Sequence, residues 1–206
     1  LIFNGCYHGT VDDVFVDLVD GQPQTRDSLL GQVYDITRHT RSIEFNDLAA
    51  LEAALQDGQV ACLLAEPAMT NIGMVLPEPG FWQQAQALCR QYGTLLLIDE
   101  THTISSGPGG YTAAHGLQPD LFVVGKPVAG GVPCAVYGFT DAVAERMART
   151  KEAAPGGHSG IGTTLSGGLL GLAALQACLA EVMTPAAWAR MEAGAVGQRH
   201  EAGLQL

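Results

Sequence analysis

The chain has 206 residues, 47% of them apolar, and its 21 acidic and 10 basic residues give a net charge of −11. That apolar fraction is sufficient for a buried core at this length. The negative charge argues against a protein whose task is to bind phosphate backbones, because such binding depends on lysine and arginine. The 26 glycines and 10 prolines follow no three-residue period, so a collagen-like chain is also excluded.

The cysteines and histidines give no indication of a disulfide framework or a metal site. Five cysteines and six histidines are scattered along the chain, with no CxxC pair and no HExxH motif, and such thiols are typical of a reducing cytosol. The longest apolar runs, at residues 60–65 and 95–98, fall far short of the roughly 20 residues that cross a bilayer. No secretory signal opens the chain. We therefore expect a soluble, cytoplasmic protein with no nucleic-acid or membrane partner.

The chain begins at Leu1, without a methionine, in a strand-like stretch, and it stops at Leu206 shortly after a helical pattern. These two features predict a segment of a longer protein. The next predicted element is a helix whose apolar face is formed by Leu48, Leu51 and Leu55. Asn46 precedes that face and is of a residue type that caps helices, so we expect it to be the N-cap.

The middle of the chain predicts a strand–helix–strand unit. The apolar run at residues 60–65 ends at Glu66-Pro67, and helical spacing follows from Phe81 to Tyr92, closed by Gly93. A second apolar run, residues 95–98, ends at Asp99-Glu100. Runs that are apolar on both faces are typical of parallel strands covered by helices, so we expect a βαβ unit.

Later segments continue the pattern. We predict strands at Leu121–Val124 and 135–139, and a long helix over residues 165–183. Glycine-, serine- and proline-rich stretches at 105–110 and 155–160 are typical of loops over a site. The predicted fold class is α/β, with an open, mostly parallel sheet and helices on both faces. Ligands of such sheets bind beyond the carboxyl ends of the strands. The candidate functional residues are those that follow the strands, namely Glu66, Asp99, Glu100 and Lys126.

Lys126 is one of only two lysines in the chain, against eight arginines. Lys151 lies in a polar stretch and is most simply a solvated charge. Lys126 instead follows the apolar segment 121–125. An ammonium placed at the end of a buried strand would lose hydration, which favours the free amine that a Schiff base requires. The alternative is a lysine that extends from the strand end into water.

The acidic pair Asp99-Glu100 is compatible with three interpretations. It could be the Walker B strand of a P-loop nucleotide hydrolase, although a GxxxxGK[ST] loop is missing from this sequence. It could provide a buried carboxylate for the protonated ring nitrogen of pyridoxal phosphate. In the third interpretation, Asp99 simply caps a turn at the end of its strand.

Several short motifs, weak one by one, occur in an order and spacing that resemble the class III aminotransferases and glutamate-1-semialdehyde aminomutase, which are fold-type I pyridoxal-phosphate enzymes. The resemblance extends over about residues 1–185. The matching motifs are Tyr7-His8-Gly9, Glu66-Pro67-Ala68-Met69-Thr70-Asn71-Ile72-Gly73, Pro79-Gly80-Phe81, Tyr92-Gly93, Leu97-Ile98-Asp99-Glu100, Pro119-Asp120-Leu121, Gly125-Lys126, Gly130-Gly131-Val132-Pro133 and Gly162-Thr163-Thr164-Leu165-Ser166-Gly167.

The resemblance implies a role for each matched site residue. Lys126 is expected to form the Schiff base with pyridoxal 5'-phosphate and to move the substrate proton, and Asp99 to keep the ring nitrogen protonated. Tyr7 and Thr101 are expected on the two faces of the ring, and Asn71 at its 3-oxygen. His8 and Glu66 are expected behind these residues, and Thr164 at the phosphate of a partner subunit's cofactor. From the residues alone, Tyr7 could equally be a core aromatic, and Asn71 could serve its own turn.

The resemblance also implies the reaction and the assembly. We expect amino-group transfer between an amine or amino acid and a carbonyl acceptor, in a homodimer with shared active sites. The alternative is an intramolecular aminomutase of the glutamate-1-semialdehyde type, although the loop at residues 105–111 is short for that enzyme. Residues 1–206 are expected to form part of the cofactor-binding large domain, with the phosphate loop before Leu1 and the small domain after Leu206.

Overall fold

The computed structural model describes residues 1–154, 162 and 164–201, with side chains in the last helix as far as residue 196. The described chain divides into two compact units. The first consists of Leu1–Glu100 and Leu117–Val123, and the second of Thr101–Gly116 and the described residues from Val124 on.

The first unit contains seven strands and two α-helices, besides two short 3₁₀ helices (Asp12–Val14 and Ile36–Arg38). In chain order the strands and α-helices are β1 (Ile2–Phe3), β2 (Val16–Val19), β3 (Gln22–Thr25), β4 (Ser42–Ile43), α1 (Leu48–Leu55), β5 (Cys62–Ala65), α2 (Phe81–Tyr92), β6 (Leu95–Asp99) and β7 (Leu121–Val124), whose last residue belongs to the second unit. Strands β1 and β4 pair in parallel, and β2 and β3 form an antiparallel hairpin. Strands β5, β6 and β7 are parallel neighbours with β6 in the middle, which confirms the predicted βαβ unit.

The core of the first unit is aromatic. Phe3 on β1 packs against Phe45, Phe81 and Trp82, with ring centroids 5.0–6.4 Å apart. Edge-on and tilted aromatic pairs of this kind stabilise a core beyond the area that they bury. The Trp82 indole is buried and satisfies its N–H by donating to the Pro67 carbonyl at 2.9 Å. These contacts hold α2 against the chain segment that follows β5.

Two helix boundaries in the first unit test the predictions. Helix α2 spans the predicted residues and ends at Gly93, whose φ of 70° is left-handed and therefore suits a glycine. The predicted N-cap of α1 is wrong. Asp47 caps this helix by accepting from the Ala50 N–H at 2.8 Å. The Asn46 side chain instead bonds the backbone of Leu76 and Glu78.

The second unit begins with a short 3₁₀ helix (Thr103–Ser106) and includes a second one that starts at the candidate lysine (Lys126–Ala129). Its longer elements are α3 (Gly110–Ala114), β8 (Val136–Phe139), α4 (Asp141–Glu152), α5 (Leu169–Ala177) with a π-helical extension (Cys178–Val182), and α6 (Pro185–Glu201). The Cys178 thiol donates to the Pro127 carbonyl at 3.2 Å, which ties the π-helical turn to the candidate lysine's segment.

Two predictions for this unit need correction. The helix predicted over residues 165–183 begins only at Leu169, because residues 164–167 form turns and Gly167 has a φ of 76°. The predicted loop at 105–110 is partly helical, since it overlaps Thr103–Ser106 and the start of α3. The loop predicted at 155–160 lies outside the described residues.

Across the described residues, no single helix has both the length and the apolar composition needed to cross a membrane. One bent pair, Leu169–Val182 with Pro185–Val196 at 63°, passes that test when the two helices are counted together.

Candidate active site

Two neighbouring parallel strands of the first unit end in carboxylates. Glu66 follows β5, and Asp99 is the last residue of β6, with Glu100 next. The register pairs Ala65 with Ile98, so Glu66 and Asp99 lie at the same edge of the sheet. All three acidic residues are buried, with exposures of 3%, 8% and 0%. The structure therefore places these residues at the carboxyl ends of neighbouring strands, where ligands of parallel sheets bind.

Asp99 is held by a histidine from a distant part of the chain. The Nδ1 atom of His8 lies 2.8 Å from Oδ2 of Asp99. An ionised carboxylate only accepts hydrogen bonds, so Nδ1 carries the proton and donates it. The His8 side chain is 3% exposed, and among the described residues its Nε2 atom has no hydrogen-bond partner. His8 therefore fixes one oxygen of Asp99 and leaves a buried polar atom unsatisfied beside it.

Glu66 is the centre of a second group of hydrogen bonds. Its Oε1 atom accepts from the Tyr7 backbone N–H at 3.4 Å and from the Asn71 Nδ2 at 3.2 Å. Its Oε2 atom accepts from the N–H and the hydroxyl of Thr70, at 3.3 and 2.5 Å. The buried carboxylate is thereby compensated by donors from two segments of the chain.

The surroundings of Tyr7 and Asn71 bear on their alternative interpretations. Tyr7 is 40% exposed, which does not fit an ordinary core aromatic. Asn71 directs its amide to Glu66 rather than to its own turn. The two segments approach closely at Gly5, where a Cβ would lie 3.0 Å from Cγ2 of Ile72 and φ is 79°. Only glycine allows this approach without strain.

Lys126 lies in the second unit, where Lys126–Ala129 form the 3₁₀ helix after β7. Of the two alternatives for Lys126, the described chain agrees with a lysine that extends from the strand end into water, because Lys126 is exposed. The expected desolvation of its amine is not observed. The strand ends two residues earlier, and it is Val128 and Ala129 that are buried. Lys126 has a φ of 49°, a left-handed conformation that is uncommon outside glycine and occurs often at functional sites.

Thr101 and Thr164 also belong to the second unit. The Thr101 hydroxyl accepts from the N–H of Gly125 at 3.2 Å, which connects it to the residue directly before Lys126. Thr164 is exposed in the turn before α5, and residue 163 lies outside the described residues. The structure thus joins Tyr7 and Asn71 through Glu66, and His8 to Asp99, within the first unit.

Three residues to which the sequence assigned no role shape the first unit's part of the site. These are Thr70, which donates twice to Glu66, and Gly5 and Ile72, which bring the two segments together. The sequence held one indication, since a buried glutamate directly after an apolar strand needs donors. Which residues provide those donors depends on the fold, because Tyr7 is 59 positions away from Glu66.

Comparisons with known proteins agree with one another. Residues 1–205 match the family model for class-III aminotransferases. A glutamate-1-semialdehyde 2,1-aminomutase from Anaeromyxobacter sp. (strain Fw109-5) is 36% identical over 198 residues, which cover 93% of this chain and 44% of that protein. The chain therefore spans less than half the length of this relative.

Solved structures show the same relationship. The crystal structure of a glutamate-1-semialdehyde aminomutase from Pseudomonas aeruginosa PAO1 has a TM-score of 0.83 and 46% identity, covering 97% of this chain and 47% of that one. Its lysine-to-alanine variant in complex with PMP has a TM-score of 0.82 at 45% identity, with the same coverage. A β-phenylalanine aminotransferase from Variovorax paradoxus has a TM-score of 0.72 and 27% identity, covering 98% of this chain and 42% of that one.

Proposed function

The chain belongs to the class-III aminotransferase family, and from this premise we propose that it acts in pyridoxal-5'-phosphate-dependent transfer of an amino group between an amine or amino acid and a carbonyl acceptor. The family match over residues 1–205 is the observation that carries the proposal. The fold is the α/β fold of the fold-type I enzymes, as the structural likeness shows. In this proposal, residues 1–206 form part of the cofactor-binding large domain.

The residues present fit the cofactor. Asp99 offers a buried carboxylate whose orientation is fixed by His8, and this is the group that a protonated ring nitrogen requires. Among the described residues, the buried Nε2 atom of His8 has no hydrogen-bond partner. A polar atom is therefore available close to that carboxylate. Lys126 is exposed and carries the primary amine that the cofactor's aldehyde needs. When bound, pyridoxal 5'-phosphate supplies an electron-accepting ring and an aldehyde that takes up amines.

Four residues act on the reacting part of the cofactor in this proposal. Lys126 holds the cofactor through Nζ and later moves a proton with the same nitrogen. Asp99 keeps the proton on the ring nitrogen through its negative charge, and His8 keeps Asp99 in place. Asn71 binds the ring oxygen as a donor.

Three further residues pack and assemble the site. Tyr7 and Thr101 pack against the two faces of the ring. Thr164 serves the phosphate in a partner subunit. The proposed site therefore needs residues from a second copy of the chain.

The aminomutase alternative is favoured by a specific observation. The relative at 36% identity and the structure at 46% identity are both glutamate-1-semialdehyde aminomutases, whereas the aminotransferase structure is 27% identical. The two functions differ in their need for a second substrate. Without an added keto acid, an aminomutase still converts glutamate-1-semialdehyde completely. Under the same condition an aminotransferase stops after one half-reaction, because no acceptor takes up the amino group. The P-loop hydrolase interpretation of residues 95–100 has no support from the family match.

Two further parts of the proposal concern the assembly and its location. We place the protein in the cytoplasm as a homodimer. All five cysteines are free thiols, which suits a reducing compartment. Leu169 and Leu170 on α5 are 85% and 74% exposed, and side chains of this kind are commonly covered in an interface. Light scattering on the full-length protein measures the mass of the assembly and tests the dimer.

The central test labels the lysine. The full-length protein is reconstituted with pyridoxal 5'-phosphate, reduced with borohydride and digested, and the modified peptide is mapped by mass spectrometry. We expect the label at Lys126 and its loss in Lys126→Ala. Lys151→Ala is the matched control, because Lys151 lies at the end of α4 in a polar stretch. A label at any other lysine overturns the assignment of Lys126.

A further inference from the structure

Glu66 is a buried carboxylate that the proposed chemistry does not use. It is 3% exposed, and its two oxygens accept hydrogen bonds from Tyr7, Thr70 and Asn71. Burying a carboxylate is costly unless donors compensate it, so the arrangement of these donors is tied to the charge of Glu66. A glutamine in place of Glu66 would offer one acceptor oxygen instead of two, so one of the two pairs of donors would lose its partner.

One oxygen of Glu66 bridges two residues that matter for the cofactor. Oε1 accepts from the backbone of Tyr7 and from the side chain of Asn71. These residues lie on segments that are far apart in the sequence and meet where Ile72 packs over Gly5. The positions of Tyr7 and Asn71 are therefore coupled through a single atom.

The contact also orients the Asn71 amide. An amide has a donor end and an acceptor end. Because Glu66 Oε1 takes a hydrogen from Nδ2, the flipped amide would place Oδ1 against a carboxylate oxygen, and two acceptors repel. In the orientation that Glu66 stabilises, the second hydrogen on Nδ2 of Asn71 can be donated to another acceptor oxygen. A ring oxygen carrying negative charge is such an acceptor.

We propose that Glu66 is a positioning residue that fixes the Asn71 amide and the Tyr7 backbone before the cofactor binds. The inference rests on the proposed function, since it assumes that Asn71 donates to the ring oxygen of pyridoxal 5'-phosphate. Glu66 itself does not touch the cofactor. Its effect reaches the cofactor only through Asn71 and Tyr7, so its effect on the ring oxygen is lost when Asn71 is removed.

The experiment is a double-mutant cycle in the full-length protein with Glu66→Gln, Asn71→Ala and the combination. Two quantities are measured: the Kd of pyridoxal 5'-phosphate for the apo-protein, and the pH midpoint of the bound cofactor's visible absorbance band. A donor to the ring oxygen stabilises its anion, so loss of the donor moves the midpoint to higher pH. We expect each single variant to raise the Kd about 5- to 30-fold and the midpoint by about one pH unit.

The combined variant decides the mechanism. If Glu66 acts through Asn71, the double variant shows no larger midpoint shift than Asn71→Ala alone. Additive shifts, or a Glu66→Gln midpoint equal to that of the wild type, overturn the proposal. Glu78→Gln is the matched control and leaves both quantities unchanged, because Glu78 is an exposed glutamate of the same segment.

A failure of the proposed function is distinguishable from a failure of this inference. A wild-type protein that binds no pyridoxal 5'-phosphate contradicts the proposed function itself, whereas normal binding with an unmoved Glu66→Gln midpoint contradicts only the role of Glu66. If Glu66→Gln does not give folded protein by circular dichroism, Glu66→Asp takes its place. It keeps the charge but is one methylene too short to reach Asn71, and the same midpoint shift is expected.

Discussion

Asp99 receives its hydrogen bond from a histidine 91 residues earlier in the chain. The bond uses Nδ1 and leaves Nε2 buried and, within the described residues, without a partner. A buried nitrogen without a hydrogen-bond partner lowers the stability of the folded state. Such unfavourable side chains are common at functional sites. The arrangement suits a carboxylate that must face a cationic ring nitrogen in one fixed orientation.

The substitution Asp99→Asn tests this residue. The amide keeps the shape of the side chain but cannot hold a proton on the ring nitrogen, because it carries no negative charge. We expect kcat for amino transfer to fall at least about 100-fold, while borohydride still attaches the cofactor to Lys126. Asp27→Asn is the control, since Asp27 is exposed. Unchanged kcat in Asp99→Asn contradicts the role of Asp99.

Not every site residue was predictable from the sequence to the same degree. The position of Asp99 at the edge of the sheet followed from its place at the end of an apolar run. The hydrogen-bond partners of Asp99 and Glu66 could not be predicted from spacing or composition. His8 lies 91 residues from Asp99 in the sequence, and Tyr7 lies 59 residues from Glu66. For Lys126 the sequence left a desolvated and an exposed amine as alternatives, because a strand end says nothing about the turn that follows it, and the described chain has the exposed one.

At the scale of elements, the ends of a helix were predicted correctly where the sequence offered a single candidate for the terminal residue. Helix α2 has a clear apolar face and a terminal glycine, and both its ends were predicted. Helix α1 follows two candidate caps, Asn46 and Asp47, which are equally good by residue type. Backbone conformation decides between them, since Asn46 has a φ of 67° and turns its side chain toward the segment before α2.

The cap of α1 gives a prediction for this element. Asp47→Ala removes the acceptor for the Ala50 N–H, which costs about 1 kcal/mol. We expect amide hydrogen exchange in peptides spanning α1 to become about five times faster, as measured by mass spectrometry. Asp47→Asn serves as the control and keeps the wild-type rate, because asparagine caps equally well. A similar acceleration in both variants shows that the charge of Asp47, rather than its cap, stabilises the helix.

The whole molecule contains five free thiols, and two of them in the first unit are shielded strongly from water. Burial raises the pKa of Cys6 to about 12, with the nearby Arg26 guanidinium opposing part of the rise. Burial also raises the pKa of Cys89 to about 12, with a smaller contribution from Cys62. These thiols lie in the core at 1% exposure, and they ionise more readily once the chain unfolds.

This difference predicts how the stability of the protein depends on alkaline pH. The pKa of each thiol is higher in the folded state, so the folded state retains protons that the unfolded state releases. Stability from this source is complete below the unfolded pKa of 9.0 and is lost as pH rises toward the folded value of about 12. Each thiol contributes a fall of up to about 1.4 kcal/mol per pH unit.

Urea unfolding of the reduced apo-protein between pH 8 and 11 measures this dependence. We expect the double variant Cys6→Ala, Cys89→Ala to be less stable at pH 8, because two core sulfur atoms are lost, but to lose stability more slowly as the pH rises. Its free energy of unfolding should therefore approach that of the parent near pH 11. Cys134→Ala, which removes a half-buried thiol of the second unit, is the control and should keep the parent's slope. Parallel slopes in the double variant and the parent would show that other groups cause the alkaline loss.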